Sequence, residues 1–175
     1  MPTLRQVAQL GHDVLRTPAR PVELPASPAL RAFADYLMAT MLDLDGVGIA
    51  APQVYELVQL FIVASRPNPR YPDAPTMEPE VVANPEIVWR SDELVKGWEG
   101  CLSIPGIRGF VPRHSKIRVR YRNLDGTEVE REFEGFVARV FQHEDDHLRG
   151  IVFLDRLESN RDIVTEREFR KRDAR

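Results

Sequence analysis

The segment FQHEDDHLRG sets His143, Glu144 and His147 in an HExxH pattern. At 3.6 residues per helical turn, positions i and i+4 share a face, so both imidazoles can reach one cation. Glu144 stands one residue round the helix, close enough to take a proton from a water on that cation. Two histidines on an apolar face are costly to bury unless they are paired, hydrogen-bonded or metallated. The bare pattern arises by chance in roughly one chain in a few hundred, so on its own it leaves two structural histidines as a reading. A third ligand decides the subclass. Some HExxH enzymes take another histidine three residues past the following glycine, but Gly150 is followed here by Ile151, Val152 and Phe153. Glu166 and Glu168 stand at a conceivable distance for a downstream carboxylate ligand, but in a polar tail with little apolar support. Cys101, in GWEGCLSIPG, is the better candidate. A thiolate suits a borderline or soft divalent ion, and one Cys with two His leaves a fourth position for water. The plain alternative for a lone cysteine is a small buried hydrophobe.

A second segment, GVGIAAPQ (46–53), collects small residues where backbone can approach a ligand. Gln53 ends it with an amide that can donate to a developing oxyanion. A tight turn and a snug strand explain the same residues equally well. The pattern is not that of a phosphate-binding loop.

The elements that must carry these residues are legible in outline. The 175 residues fit one domain, and 24 basic against 27 acidic groups leave a formal charge of −3, no bulk reason to expect DNA or RNA as a general partner. One cysteine rules out an internal disulfide and suits a reducing compartment. No apolar stretch reaches the ~20 residues of a membrane span, and the N-terminal residues lack a signal-type apolar run, so the cytoplasm is the expected location. SPALRAFADYLMATMLDLDG predicts a helix with Ser27 as N-cap, Pro28 in the first turn, Gly46 as the stop, and a buried stripe of Leu30, Phe33, Leu37, Met41 and Leu44. Residues 57–65 predict a buried strand, the proline-rich residues 66–79 a surface loop, and residues 81–88 a further strand. In KIRVRYRNLDGTEVEREFEGF a three-residue loop, Leu124-Asp125-Gly126 with Gly126 left-handed, pairs Arg122 with Glu128, Arg120 with Glu130, Arg118 with Glu132 and Lys116 with Glu134. The basic run is then a solvated face matched by acids. A second helix, 136–149, stops at Gly150, with Phe136 and Val140 on the histidine face and Asp145 and Asp146 directed outward. The tail, roughly 158–175, is strongly charged, partly helical and frayed at its end.

GVGIAAPQ, EGCLSIPG and QHEDDHLRG stand in that order, and the ordered triple resembles the peptide deformylase family. With the VPR of Val111 to Arg113, the similarity covers most of 46–153, and GHDVLRTPARPVE is similar to the family's opening segment. The resemblance implies an α+β fold, with mixed, mostly antiparallel sheets around a central HExxH-bearing helix. It implies a hydrolase that removes the N-formyl group from the initiator methionine of nascent polypeptides and releases formate. Cys101, His143 and His147 would bind one divalent metal, and Glu144 would be the general acid/base. Gln53 and the backbone N–H of Leu102 would form the oxyanion hole, and Gly48 would offer backbone hydrogen bonds to the peptide. Phe136 and Val140 would line the methionine pocket.

Two further roles lean on the resemblance and on charge pairing. Glu99 pairs with Arg113 to hold the cysteine loop, and Arg108 contacts the peptide beyond methionine. The metal would be Fe(II) in the cell, with Zn, Ni or Co accepted by the same donors. Partners would be formyl-Met nascent peptides and the ribosome near its exit tunnel, with neither DNA nor membrane; tail cations Arg167, Arg170, Lys171, Arg172 and Arg175 are read first as solvated. Gly97-Trp98 and the proline-rich insert depart from the commonest bacterial pattern and bear on peptide preference. The rival readings are another metallo-amidase or aminopeptidase, and a non-catalytic peptide-binding relative with a structural metal. Glu144 and Gln53 argue against the last, since neither is needed merely to hold an ion.

Overall fold

The computed structural model describes residues 4–173. Ser27 accepts a hydrogen bond from Leu30 N and Pro28 opens helix α1 (Pro28–Asp43), the start that cap and proline dictate. Phe33, Leu37 and Met41 of the stripe are buried, whereas Leu44 is exposed. The helix closes at Asp43, three residues before Gly46, because Asp45 takes the left-handed conformation (φ 51°) and Gly46 N returns to the Met41 carbonyl at 2.9 Å.

Strands β1 (Gly48–Ala50), β2 (Leu60–Ser65), β3 (Met77–Arg90), β6 (Lys116–Arg122) and β7 (Glu128–Glu134) form one antiparallel sheet in the order β1-β2-β3-β6-β7. Every residue of β2 is buried. Its alternate residues explain why: Phe61 and Val63 pack in one apolar cluster with Phe141, while Leu60, Ile62 and Ala64 pack in another with Leu37 and Met41 of α1. A strand covered on both faces reads as a continuous apolar run.

Strand β3 is longer than residues 81–88 and takes in Pro79 and Pro85. Both prolines fall where the ladder is interrupted. The β2–β3 register shifts between Val63 and Ser65, opposite Glu80 and Met77, and the β3–β6 register shifts between Ala83 and Glu86. A residue without an N–H is tolerated at such irregularities. The β6–β7 hairpin has the expected register throughout, from Arg122↔Glu128 to Lys116↔Glu134. Gly126 is left-handed at φ 85°.

The second sheet joins β4 (Leu94–Cys101) and β5 (Ile104–His114) in a hairpin, with β8 (Ile163–Thr165) added to β5. Cys101 therefore sits at the tip of a hairpin. Helix α2 (Gly135–Leu148) packs against β1 and β2 of the first sheet and β5 of the second, and the chain ends in α3 (Glu166–Asp173). Gly150 follows α2 at φ 73°, and a Cβ there would press on the Arg16 carbonyl. From Val140 to Leu148 every residue of α2 is buried, so Asp145 and Asp146 are enclosed, against the expectation that they face water. No helix among the described residues is long and apolar enough to cross a membrane.

Phe141 fixes α2 to the sheet, with its ring 5.0 Å from Phe61 and 5.7 Å from Phe133, centroid to centroid. Phe141→Ala is expected to lower the unfolding free energy by about 3–5 kcal/mol, read from urea denaturation. A loss under about 1 kcal/mol would mean that the helix is held elsewhere.

Candidate metal centre

Burying a helix as polar as EDDH requires a partner for each side chain. Gln142 donates to the His114 carbonyl and the Ala138 carbonyl, both at 2.9 Å. Asp145 accepts two bonds from Arg149, each at 3.0 Å. Asp146 accepts from Arg113 at 2.6 Å and from Arg156 at 2.7 and 3.1 Å. That is the physical reason the two aspartates turn inward: arginines from β5 and from the segment after α2 replace their water.

Arg113 spends its other edge on Glu99, as the sequence suggested, with bonds of 2.9 and 3.1 Å. Arg139 adds a third bond to Glu99 at 3.0 Å, and His143 Nδ1 a fourth at 2.9 Å. Burial by itself would raise the pKa of Glu99. Arg113 and His143 outweigh it and hold the carboxylate well below its usual range. Arg139 was not singled out in the sequence, although it lies one helical turn before His143 on the same face. Gly97 makes room for it, because a Cβ there would meet the Arg139 guanidinium.

With Nδ1 committed to Glu99, His143 presents Nε2 to the interior, the arrangement that orients a metal-ligating histidine. His147 Nε2 lies 3.3 Å from Cys101 Sγ, and one donor atom from each of Cys101, His143 and His147 falls within 4.8 Å of the others. Burial drives both imidazoles toward neutrality. For His143 the opposing pull of Cys101 and Glu99 wins and raises its pKa well above the ordinary value, whereas His147, buried and facing the charge of His143, is lowered well below it. A divalent cation held by these three donors would displace any proton from them. The donor set fits a metal: a thiol and two imidazoles converge in a buried site, one imidazole already braced by a carboxylate.

Around this triad stand the other residues singled out in the sequence. Glu144 is buried, and burial raises its pKa to about 7. Among the described residues, Glu144 Oε2 and His147 Nδ1 are the buried side-chain N or O atoms with no partner. A Cβ at Gly48 would collide with the Glu144 carboxylate, so the glycine is required by close approach. Gln53 is fixed by its Oε1, which accepts from Ala50 N at 2.8 Å. Its Nε2 lies 3.1 Å from Ser103 Oγ and 3.5 Å from Cys101 Sγ. Gly48, Gln53, Leu102, Phe136, Val140 and Glu144 line one pocket with Cys101 and His143. Arg70, Tyr71 and Trp98 also line it, so the proline-rich loop and the Gly97-Trp98 departure both reach it. Arg108 is not among these lining residues. It is 1% exposed, bonded to Glu166 at 2.8 and 3.1 Å, and borders a neighbouring groove.

A family model described as Polypeptide deformylase matches residues 4–162. Peptide deformylase 2 of a Nostoc species is 52% identical over 170 residues, 97% of this chain and 95% of the relative. Peptide deformylase 2 of Shewanella oneidensis is 52% identical over 86% of this chain and 82% of its own. A class I type b peptide deformylase from Acinetobacter baumannii, crystallised with Met-Ala-Ser, superposes with a TM-score of 0.87 at 51% identity, covering 90% of this chain and 100% of that one. The peptide deformylase of Thermotoga maritima gives 0.80 at 37% identity, over 90% and 99% of the two chains.

Glu99→Gln removes the charge that faces Arg113, Arg139 and His143. Metal affinity measured by chelator competition is expected to fall about 10–100-fold. Arg113→Ala leaves Glu99 and Asp146 short of a buried cation and should lower stability by about 3–5 kcal/mol, with metal lost on dialysis. Unchanged metal retention in Arg113→Ala would show that the pair does not hold the cysteine hairpin.

Proposed function

The chain belongs to the polypeptide deformylase family, and on that premise we propose the roles of its residues in removing the formyl group from formyl-methionine at the start of nascent polypeptides. The reaction is a metal-dependent hydrolysis that releases formate. Cys101, His143 and His147 would hold one divalent metal, which when bound supplies Lewis acidity and a water whose pKa falls from roughly 15.7 to about 7. One catalytic domain, residues 1–175, carries the activity.

Glu144 takes the proton from the attacking water and delivers it to the leaving amine. Its support is geometric: it lines the same pocket as Cys101 and His143, and one of its buried oxygens lacks a protein partner. This is the observation that carries the reading. Gln53 Nε2 and the N–H of Leu102 stabilise the charge that develops on the formyl oxygen. Gln53 suits the part because the bond from Ala50 N orients its amide. Phe136 and Val140 give the methionine side chain an apolar wall, and Gly48 brings β1 backbone to the peptide. Arg108 acts on residues after methionine indirectly, by holding Glu166 and the rings of Tyr71 and Phe169 at the adjoining groove.

Fe(II) is the metal of this reading in the cell, with Zn, Ni or Co able to occupy the same donors. The substrate emerges from ribosomes, so the chain works in the cytoplasm near the exit tunnel. Arg167 and Arg170 of α3 are exposed and available to ribosomal RNA, whereas Arg175 lies outside the described residues.

The test is formate release from formyl-Met-Ala-Ser by anaerobically purified protein, with metal analysis of each variant. Glu144→Ala should keep its metal and lose about 10²–10⁴-fold in rate. Gln53→Ala should lose about 3 kcal/mol of transition-state stabilisation, more than roughly a hundredfold. Near-normal turnover by a fully metallated Glu144→Ala would remove Glu144 from proton transfer.

A further inference from the structure

Helix α3 is organised around a contact outside the metal centre. Glu166 and Phe169 are its half-buried side chains among those described. Glu166 accepts from Arg108 Nε at 2.8 Å and Nη2 at 3.1 Å, and Nη2 also donates to the Arg70 carbonyl at 3.1 Å. The guanidinium lies between the rings of Tyr71 and Phe169, 4.8 Å from each centroid. Phe169 meets Trp98 edge-on at 5.5 Å. The bond to Arg108 keeps Glu166 below the ordinary carboxylate range.

The position of Glu166 is fixed by the backbone. Strand β8 pairs with β5 at Arg108↔Val164 and Ile107↔Thr165, and Glu166 is the next residue along the chain. The groove bordered by Arg108 and Phe169 shares Arg70, Tyr71, Trp98 and Phe136 with the metal pocket. A peptide whose methionine lies beside Phe136 would run out along it. A two-pronged guanidinium–carboxylate pair is the geometry with which arginine recognises a carboxylate ligand. Here the carboxylate comes from the chain's own C-terminal helix.

We propose that Glu166 occupies Arg108 in place of an acidic group of the substrate, so that α3 makes the groove discriminate against peptides that are acidic after methionine. The inference rests on the deformylase reading and deepens it: Glu166 and Phe169 become determinants of peptide preference. Asp73 lines the same groove and adds to the effect, whereas Glu168 is engaged with Lys171 on the outer side of the helix.

The test compares kcat/KM for formyl-Met-Ala-Glu-amide and formyl-Met-Ala-Gln-amide with the metal-loaded full chain. In the wild type the acidic peptide should be no better than the neutral one. Glu166→Gln should raise the acidic-to-neutral ratio about tenfold, the scale of one hydrogen bond to a charged group, and mainly through KM. Phe169→Ala, which leaves the net charge unchanged, should shift the ratio the same way. Glu168→Gln makes the same charge change as Glu166→Gln and should leave it alone. Calorimetric binding of the product Met-Ala-Glu-amide should tighten in step. An unmoved ratio in both Glu166→Gln and Phe169→Ala overturns the proposal, as does an equal rise in Glu168→Gln. If the wild type cleaves neither peptide, the deformylase reading falls with it; if it cleaves both and the ratio stays fixed, this inference alone falls.

Discussion

A carboxylate taken out of water needs cations and N–H donors to replace its hydration, or several kcal/mol are lost. Glu99, 3% exposed, is that carboxylate here, and two arginines and a histidine converge on it. Because it stands two residues before Cys101 on β4 and bonds His143 on α2, satisfying it also brings a thiol and an imidazole together. Arg113 extends the same network from β5 to Asp146, and Asp146 passes it on to Arg156 beyond the helix. The proposed metal ligands stand where they do because a buried charge network closes around them.

The helix that bears the histidines buries consecutive polar residues from Gln142 to His147, and its two sides are held differently. Toward the large sheet, Phe141 supplies packing against Phe61, Tyr121 and Phe133. Toward the β4–β5 hairpin, charge pairing does the holding. Apolar packing tolerates small adjustments better than a charge network does. Placing the ligands on the charged side suits a site whose donor atoms must be oriented as well as enclosed.

Features set by neighbouring residues were legible in the sequence. The cap and proline of α1, the i, i+4 histidines and the hairpin register follow from local spacing, and the register was decided by charges on alternate residues. The Glu99–Arg113 pair was legible only with help from family resemblance. Asp145 and Asp146 were misjudged because charged residues ordinarily face water, and one of the arginines enclosing Asp146 comes from 33 residues away. Pro79 was kept out of a strand by a sound local rule that an irregularity in the ladder overrides. The burial of Arg108 depends on a helix 58 residues later, which no local pattern announces.

The central claim is that one thiolate and two imidazoles hold a single metal. X-ray absorption of the zinc-loaded protein tests it most directly. The account predicts one sulfur near 2.3 Å and two imidazole nitrogens at about 2.0–2.1 Å, with the sulfur shell lost in Cys101→Ser. A shell of nitrogen and oxygen alone in the wild type, unchanged by that substitution, would contradict it.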